Sequence, residues 1–210
     1  MTPKPPHIYV GLDLGQRQDP SAIAVLERIY EPTGFRDHVT WELEYALTFR
    51  LRHVERIALG TPYIEIVRRT KVLMRSFTGA ISNFWPVQFG HQANPYKTLV
   101  IDASGVGAPV LEMLRAADLG CAIVPITITS GAAAHSDHAT GGYLVPRRDL
   151  LTRLRILLEK DFLRIAPAIN DRQALIEEII TFEDRSTSRH DDLAIATALA
   201  IYQATQGLTL

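Results

Sequence analysis

Residues 7–26, HIYVGLDLGQRQDPSAIAVL, place two apolar runs on either side of a polar turn. The first run, Ile8–Leu12, is followed by a carboxylate, Asp13, and by a glycine at position 15, and the second run is Ala22–Leu26. Short apolar runs bounded by turn residues predict a strand, a turn and a returning strand. A carboxylate at the end of a buried strand is costly unless a cation meets it. We therefore interpret Asp13 either as a metal ligand or as a residue that caps its own turn.

The chain beyond this hairpin has the pattern of an α/β fold. Thr40–Leu51 alternates β-forming and polar residues, which predicts a third antiparallel strand. Further on, the strand Thr98–Ile101 ends at Asp102 and leads through glycines into a helix, Pro109–Ala117, before a second apolar strand, Cys121–Ile128. A β-α-β unit implies parallel pairing. We expect one central mixed sheet, with its first three strands antiparallel and later strands parallel, and helices on both faces.

Hydrophobic periodicity predicts the remaining elements. They are helices over Pro62–Ser76, Arg147–Lys160, Asp171–Phe182 and Asp191 to about Gln206, and a short strand over Leu163–Ala166. Residues 79–96 and Glu183–Ser188 are interpreted as connections, and Thr129–Tyr143 as a long polar loop of the kind that is often functional. Because no linker or shift in composition divides the chain, residues 1–210 are predicted to form one domain.

Composition limits the classes of function. The chain has 210 residues, 47% of them hydrophobic, which is enough for a full core. Its 22 basic and 23 acidic residues give a net charge of −1, so any nucleic-acid binding must come from a local basic patch. The single cysteine excludes internal disulfides. No apolar run reaches the roughly 18 to 20 residues of a membrane span, and the first six residues lack the apolar centre of a signal peptide. We expect a cytoplasmic protein with no membrane contact.

Three acidic positions stand where a sheet edge could gather them: Asp13, Asp102 and the pair Asp191 and Asp192. The last helix, DDLAIATALAIYQA, is apolar on nearly every side, so its first turn should be held against the sheet. One aspartate of the pair can cap the helix while the other faces inward, and helical spacing slightly favours Asp192 as the inward one. Asp19 is predicted to cap its turn rather than to bind metal. Converging carboxylates suit two Mg²⁺ or Mn²⁺ ions that support phosphodiester hydrolysis.

Four stretches also resemble a known family: GLDLGQRQDPSAIAVL, LVIDASGVGAPVLEML, VPRRDLLTRLRILLEKDFLRIA and RHDDLAIATALAIY. Their order and spacing, from about His7 to Tyr202, resemble the nuclease domain of phage terminase large subunits, which has an RNase H-like fold. The resemblance implies that Asp13, Asp102 and the Asp191–Asp192 pair bind two metal ions and cut concatemeric double-stranded DNA during genome packaging. It implies partners as well, namely a packaging ATPase, a small terminase subunit and a portal.

Two departures from the family pattern bear on this reading. Many relatives carry a further acid three residues after the helix-start pair, where this chain has Ile195, so a fourth ligand must come from Asp191 or elsewhere. A complete large subunit also contains an ATPase, and the sequence has no GxxxxGK[ST] loop. The chain is therefore an isolated nuclease domain, an engineered fragment, or a relative whose motor is a separate polypeptide.

Basic residues near the acidic positions are candidates for DNA contact. Arg147 and Arg148 could neutralise backbone phosphates, and the resemblance places the polar loop before them near DNA. His135 and His138, in an H-x-D-H group, lack further ligands at tetrahedral spacing; we interpret them as parts of a solvated loop that could touch phosphate. His190 could orient water beside the acidic pair or simply flank the helix.

Other classes of protein remain open at this point. A Holliday-junction resolvase of the RuvC type would share the fold and the metal chemistry. An actin-like ATPase or sugar kinase is suggested by GLDLG and IDASG, although 210 residues leave little room for its second lobe. A non-catalytic module that docks onto DNA or a motor would not need all three acidic positions.

Overall fold

One sheet organises the part of the chain that the structure describes. The structure is a computed structural model, and it describes residues 6–15, 19–77, 96–105, 107–181 and 190–208. Its strands are β1 (His7–Asp13), β2 (Ser21–Arg36), β3 (Leu43–Ile57), β4 (Tyr96–Asp102), β5 (Ala122–Thr129), β6 (His135–Asp137), β7 (Gly142–Pro146) and β8 (Leu163–Ile165). Its helices are α1 (Tyr63–Ser76), α2 (Gly107–Ala116), α3 (Arg147–Glu159), α4 (Arg172–Thr181) and α5 (Asp192–Ala204).

The sheet is mixed, as the sequence predicts. Its strand order is β6-β7-β5-β4-β1-β2-β3-β8. The first three strands are antiparallel, and β1, β4, β5 and β7 run parallel to their neighbours in turn. The β4-α2-β5 unit supplies the predicted parallel crossover. β8 adds to β3 in parallel at one edge, and β6 pairs with β7 in antiparallel fashion at the other.

The turn between β2 and β3 corrects one prediction. Both strands are longer than expected, and Thr40 and Trp41, predicted as strand, lie in the turn that joins them. The Asp37 carboxylate accepts hydrogen bonds from the backbone N–H groups of Val39 at 2.9 Å and Thr40 at 2.7 Å. Such local side-chain bonds compete with the strand ladder. Trp41 follows with a left-handed φ of 59°, which is incompatible with an extended strand, so β3 begins only at Leu43.

The predicted loop Thr129–Tyr143 is also corrected, because it contains β6 and the start of β7. The Asp137 carboxylate closes the hairpin by accepting hydrogen bonds from the Ala139 N–H at 3.0 Å and the Thr140 hydroxyl at 2.7 Å. Gly142 lets the hairpin approach β5, since a Cβ there would lie 1.8 Å from the carbonyl oxygen of Pro125. Backbone pairing rather than side-chain alternation specifies this hairpin, so its polar sequence reads as a loop.

Helices cover both faces of the sheet, as predicted. α1 and α2 pack over one face, and α3, α4 and α5 over the other. α5 is buried along almost its whole length because it lies between the sheet and the other two helices of its layer. The predicted connection over residues 79–96 lies outside the described residues except for Tyr96, which begins β4, and the predicted connection Glu183–Ser188 lies outside them entirely.

Within the described ranges, no helix is both long enough and apolar enough to cross a bilayer.

Candidate functional site

Two of the predicted acids end neighbouring strands. Asp13 is the last residue of β1 and Asp102 is the last residue of β4. The parallel register pairs Leu12 with Ile101, so the two aspartates follow on adjacent strands at the same level. Leu12 and Ile101 pack on the face of the sheet that α1 and α2 cover. Because successive residues of a strand point to opposite faces, Asp13 and Asp102 both point to the face on which α5 packs.

The first turn of α5 brings the other two acids to the same place. Asp192 is the first residue of the helix and is only 5% exposed, whereas Asp191 occupies the N-cap position with a side chain that is 31% exposed. Of the two, Asp192 therefore points inward, as the helical spacing slightly favoured. Asp191 makes no capping hydrogen bond with its side chain, because its carboxylate is bonded to the guanidinium of Arg147.

These elements enclose a cavity of about 330 Å³. Its described lining consists of Asp13, Leu14, Gly15, Asp19, Asp102, Ser104, Gly105, Ile128, Arg147, His190, Asp191, Asp192 and Ile195. Five of these residues are aspartates and one is an arginine, so the lining carries an excess of negative charge. A phosphate group would be repelled from such a cavity unless cations entered with it.

Three carboxyl groups of the cavity, those of Asp13, Asp102 and Asp192, have pKa values above their usual range. Burial raises the pKa of Asp13 well above 3.8, and the nearby charges of Asp102, Asp192 and Asp191 raise it further. Burial likewise raises the pKa of Asp102 and brings the pKa of Asp192 to about 6. Arg147 opposes the shift at Asp13 but does not cancel it. The site therefore favours either protons or another cation.

Ser104 fixes the carboxylate of Asp102. The Ser104 hydroxyl and its backbone N–H both donate to Oδ1 of Asp102, at 2.5 Å and 2.8 Å. The same hydroxyl oxygen accepts a hydrogen bond from the backbone N–H of Ile128 at 2.7 Å, which ties it to β5. The glycine turn after β4 thus holds Asp102 in one orientation at the junction of two parallel strands.

The predicted arginines occupy different positions. Arg147 begins α3, lines the cavity and is bonded to Asp191. Arg148 is 68% exposed, does not line that cavity, and donates to the backbone carbonyl of Ala132. Only the first of the pair therefore reaches the acidic group in the described structure.

The predicted histidines are likewise divided. His190 lines the cavity, and its Nδ1 lies 3.9 Å from Oδ2 of Asp192. His135 is exposed at the start of the edge strand β6, and His138 is exposed in the β6–β7 turn. Neither belongs to the described lining of the cavity. The structure thus brings one of the three histidines to the acids.

Sequence reasoning missed three residues of the site's surroundings. Asp19, predicted only as a turn cap, lines the cavity. Arg56, near the end of β3, and Glu178, in α4, both contact the start of α5. Glu178 did carry a usable signal in the sequence, because it lies in ALIEEIIT three residues after Leu175 and therefore on the same face of the helix. In the structure Leu175 is a core residue and Glu178 is only 6% exposed.

The donor atoms fit a hard divalent cation. Asp192 Oδ2 is buried without a hydrogen-bond partner, and Asp13, Asp102 and Asp192 offer only oxygen, the donor that Mg²⁺ and Mn²⁺ prefer. Among the described residues, no three acidic, histidine or cysteine side chains already stand together as a cluster that could hold one ion.

Comparison with known proteins identifies the fold. No family model matches the chain, and no curated protein matches it significantly. Among solved structures, the large terminase nuclease of the thermophilic phage G20c superposes with a TM-score of 0.51 at 19% identity, covering 94% of this chain and 82% of that one. The human cytomegalovirus terminase nuclease domain gives a TM-score of 0.55 at 10% identity, covering 97% and 86%.

The class of fold is therefore the RNase H-like α/β fold that the sequence predicts. More particularly, it is the fold found in the nuclease domains of viral terminases, as the four resembling stretches indicated.

Proposed function

We propose that the protein is a divalent-metal-dependent DNA endonuclease. The observation that carries this proposal is the convergence of Asp13, Asp102 and Asp192 on one negatively charged cavity at the ends of β1 and β4. The shared fold with terminase nucleases supports it, and so does the fact that the cytomegalovirus domain was studied after soaking with manganese. An actin-like or sugar-kinase role has no comparable support from the site.

The acidic side chains are the metal ligands in this proposal. Asp13, Asp102 and Asp192 would hold two Mg²⁺ or Mn²⁺ ions, and Asp191 would join them if Arg147 releases it. When bound, the ions supply charge stabilisation at the attacking and leaving oxygens of an in-line phosphodiester hydrolysis. Ser104 keeps Asp102 oriented, and His190, which borders the cavity, would accept a hydrogen bond from water or donate one to it.

The DNA would approach along the start of α3 and the β6–β7 hairpin. Arg147 and Arg148 are proposed to contact backbone phosphates, and His135 and His138, both exposed, to contact the strand beyond the cavity. The proposed substrate is concatemeric viral double-stranded DNA, cut during genome packaging. A packaging ATPase, a small terminase subunit and a portal are the proposed partners, with residues 1–210 acting as one nuclease domain in the host cytoplasm.

Plasmid cleavage tests the proposed function. Purified protein is incubated with supercoiled plasmid in Mn²⁺, in Mg²⁺ and in EDTA, beside the variants Asp13→Ala and Asp102→Ala. We expect nicking and linearisation in either metal, none in EDTA, and none by the variants. Absence of cleavage by the wild type, or unchanged cleavage by both variants, would contradict the proposal. A four-way junction offered in parallel identifies a RuvC-type resolvase, which would cut it symmetrically and spare linear duplex.

The phosphate contacts make a prediction about salt dependence. DNA affinity of Arg147→Ala/Arg148→Ala, measured in Ca²⁺ on an Asp13→Asn background, should be weaker and should fall less steeply with salt. Each lost phosphate contact removes about 0.9 from the slope of log K against log salt, so the double variant should lose roughly 1.8. Arg68→Ala is the control, because Arg68 is 64% exposed on α1, across the sheet from the site. A double variant with the wild-type slope would refute the two contacts.

A further inference from the structure

Arg56 shares a cross-strand row with the candidate metal centre. The register pairs Asp13 of β1 with Ala22 of β2, and Ala22 with Arg56 of β3. Paired residues point to one face of a sheet, so the guanidinium extends on the face that carries α5. The backbone N–H of Arg56 donates to Oδ2 of Asp171 at 3.1 Å, which ties the end of β3 to the segment just before α4.

The Arg56 side chain joins carboxylates from two helices. Its Nη2 is hydrogen-bonded to Oε1 of Glu178, and its Nε lies 3.6 Å from Oδ2 of Asp192. The carboxylate side chains of Glu178 and Asp192 are each 7% exposed. Nε and Oδ2 are both buried without a hydrogen-bond partner and face each other. A guanidinium in this position restrains the direction in which a buried carboxylate can point.

Glu178 performs the capping that Asp191 does not. The first N–H groups of a helix lack intrahelical partners and need an acceptor. At the start of α5 the N-cap carboxylate of Asp191 is bonded to Arg147 instead. The backbone N–H of Ala194, in the first turn, donates to Oε2 of Glu178 at 2.9 Å. One carboxylate therefore caps α5 through one oxygen and holds Arg56 through the other.

We propose that Arg56 and Glu178 are positioning residues of the nuclease centre, which together fix the first turn of α5 and with it the Asp192 carboxylate that a divalent cation would use. This inference rests on the proposed function. Residues that orient metal ligands typically contribute about 10- to 100-fold to metal affinity or activity. Removing the guanidinium also removes a positive charge that competes with the metal ion. If that charge were the main effect, Arg56→Gln would bind Mn²⁺ more tightly, whereas loss of positioning makes it bind Mn²⁺ more weakly.

Mn²⁺ binding measures this role without DNA or cleavage. Free Mn²⁺ is followed by electron paramagnetic resonance during titration of the wild type, Arg56→Gln and Arg50→Gln. Arg50 is the matched control, since it lies on the same strand, is 27% exposed against 31% for Arg56, and pairs with another carboxylate, Glu31. We expect Arg56→Gln to weaken Mn²⁺ binding by about 10-fold or more and Arg50→Gln to bind as the wild type does.

Two further variants keep the inference testable if Arg56→Gln does not fold. Arg56→Lys retains the charge but cannot contact both carboxylates, so a smaller loss of Mn²⁺ affinity is expected. Glu178→Ala should accelerate amide exchange at Ala194 and also weaken Mn²⁺ binding. Mn²⁺ affinity in Arg56→Gln, or in Arg56→Lys if the first is unfolded, that equals or exceeds the wild type would overturn the inference. Failure of the wild type to cleave DNA would instead contradict the proposed function. The inference about Arg56 is still tested in that case, because the Mn²⁺ affinities of the wild type and its variants are measured without DNA.

Discussion

Replacement of Asp13 by asparagine is expected to abolish DNA cleavage while making the metal-free protein more stable. Asparagine keeps the shape of the side chain but removes a charge that the cation would need. A residue that only orients a metal ligand contributes up to about 100-fold to activity. Because Asp13 would bind the ion itself, its replacement should lower the cleavage rate by more than about 100-fold. Plasmid cleavage at fixed Mn²⁺ measures it.

The stability effect follows from the sign of the pKa shift. The pKa of Asp13 is higher in the folded chain than its usual 3.8, so the folded state binds this proton more tightly than the unfolded state does. That contribution is present below the unfolded pKa and is lost as pH rises through the folded pKa. The asparagine of Asp13→Asn cannot ionise, so this variant does not lose stability at position 13 as the pH rises. In EDTA the variant should melt above the wild type at neutral pH, with a difference that shrinks toward pH 4.

Added metal should reverse this order of stability. At a Mn²⁺ concentration 100 times the dissociation constant, binding stabilises the wild type by about 2.7 kcal/mol, which in a domain of this size corresponds to roughly 5–11 °C in Tm. Asp13→Asn should gain much less. Asp161→Asn is the control, because Asp161 is exposed in the turn after α3 with a left-handed φ of 55° that asparagine also adopts. A variant that melts below the wild type in EDTA would contradict the account of Asp13.

Gly11→Ala is expected to have the largest effect on folding. A Cβ at Gly11 would lie 1.8 Å from the backbone oxygen of Ala196 and 3.1 Å from the backbone nitrogen of Ala200. The obstacle is the backbone of α5, which cannot rotate away as a side chain can. Overpacking costs about 1–3 kcal/mol and occasionally more, and we expect at least the upper value, a fall of roughly 6–12 °C in Tm.

The same substitution should also weaken the site. Pushing α5 away from β1 moves the first turn of α5, and Asp192 with it, so cleavage should fall even at a temperature where the variant remains folded. Gly131→Ala is the control, since a Cβ there would meet only the Thr129 hydroxyl at 3.3 Å. Thermal melts followed by circular dichroism measure the stability of both variants. A Gly11→Ala protein as stable as the control would show that strand and helix are not held this closely.

Much of the fold could be predicted because its strongest patterns are local. The apolar runs around Asp13 and Asp102 indicated strands, and the uniform apolarity of the last helix indicated a buried α5 whose first turn meets the sheet. Convergence of the acids then followed from topology, since neighbouring parallel strands end at one edge. Gly11 could have been recognised as well, because glycine inside a strand often marks a close backbone approach.

The parts that could not be predicted depend on long-range partners. Arg56 lies in the polar stretch that follows the predicted strand Thr40–Leu51, and only the fold shows that it meets Glu178, 122 positions away. The β6–β7 hairpin is specified by backbone pairing in a polar sequence, so it lacks the hydrophobic alternation that marks a strand. Asp19 lies within the predicted turn, and nothing in the local sequence distinguishes a residue that caps the turn from one that faces the cavity.

If the acidic cavity is a two-metal centre, an anomalous difference map from a crystal soaked in Mn²⁺ should show both ions. We expect two anomalous peaks inside the cavity, bounded by the carboxylates of Asp13, Asp102 and Asp192, and their loss in crystals of Asp13→Asn. No peak in the cavity at saturating Mn²⁺, or peaks that persist unchanged in the variant, would contradict it.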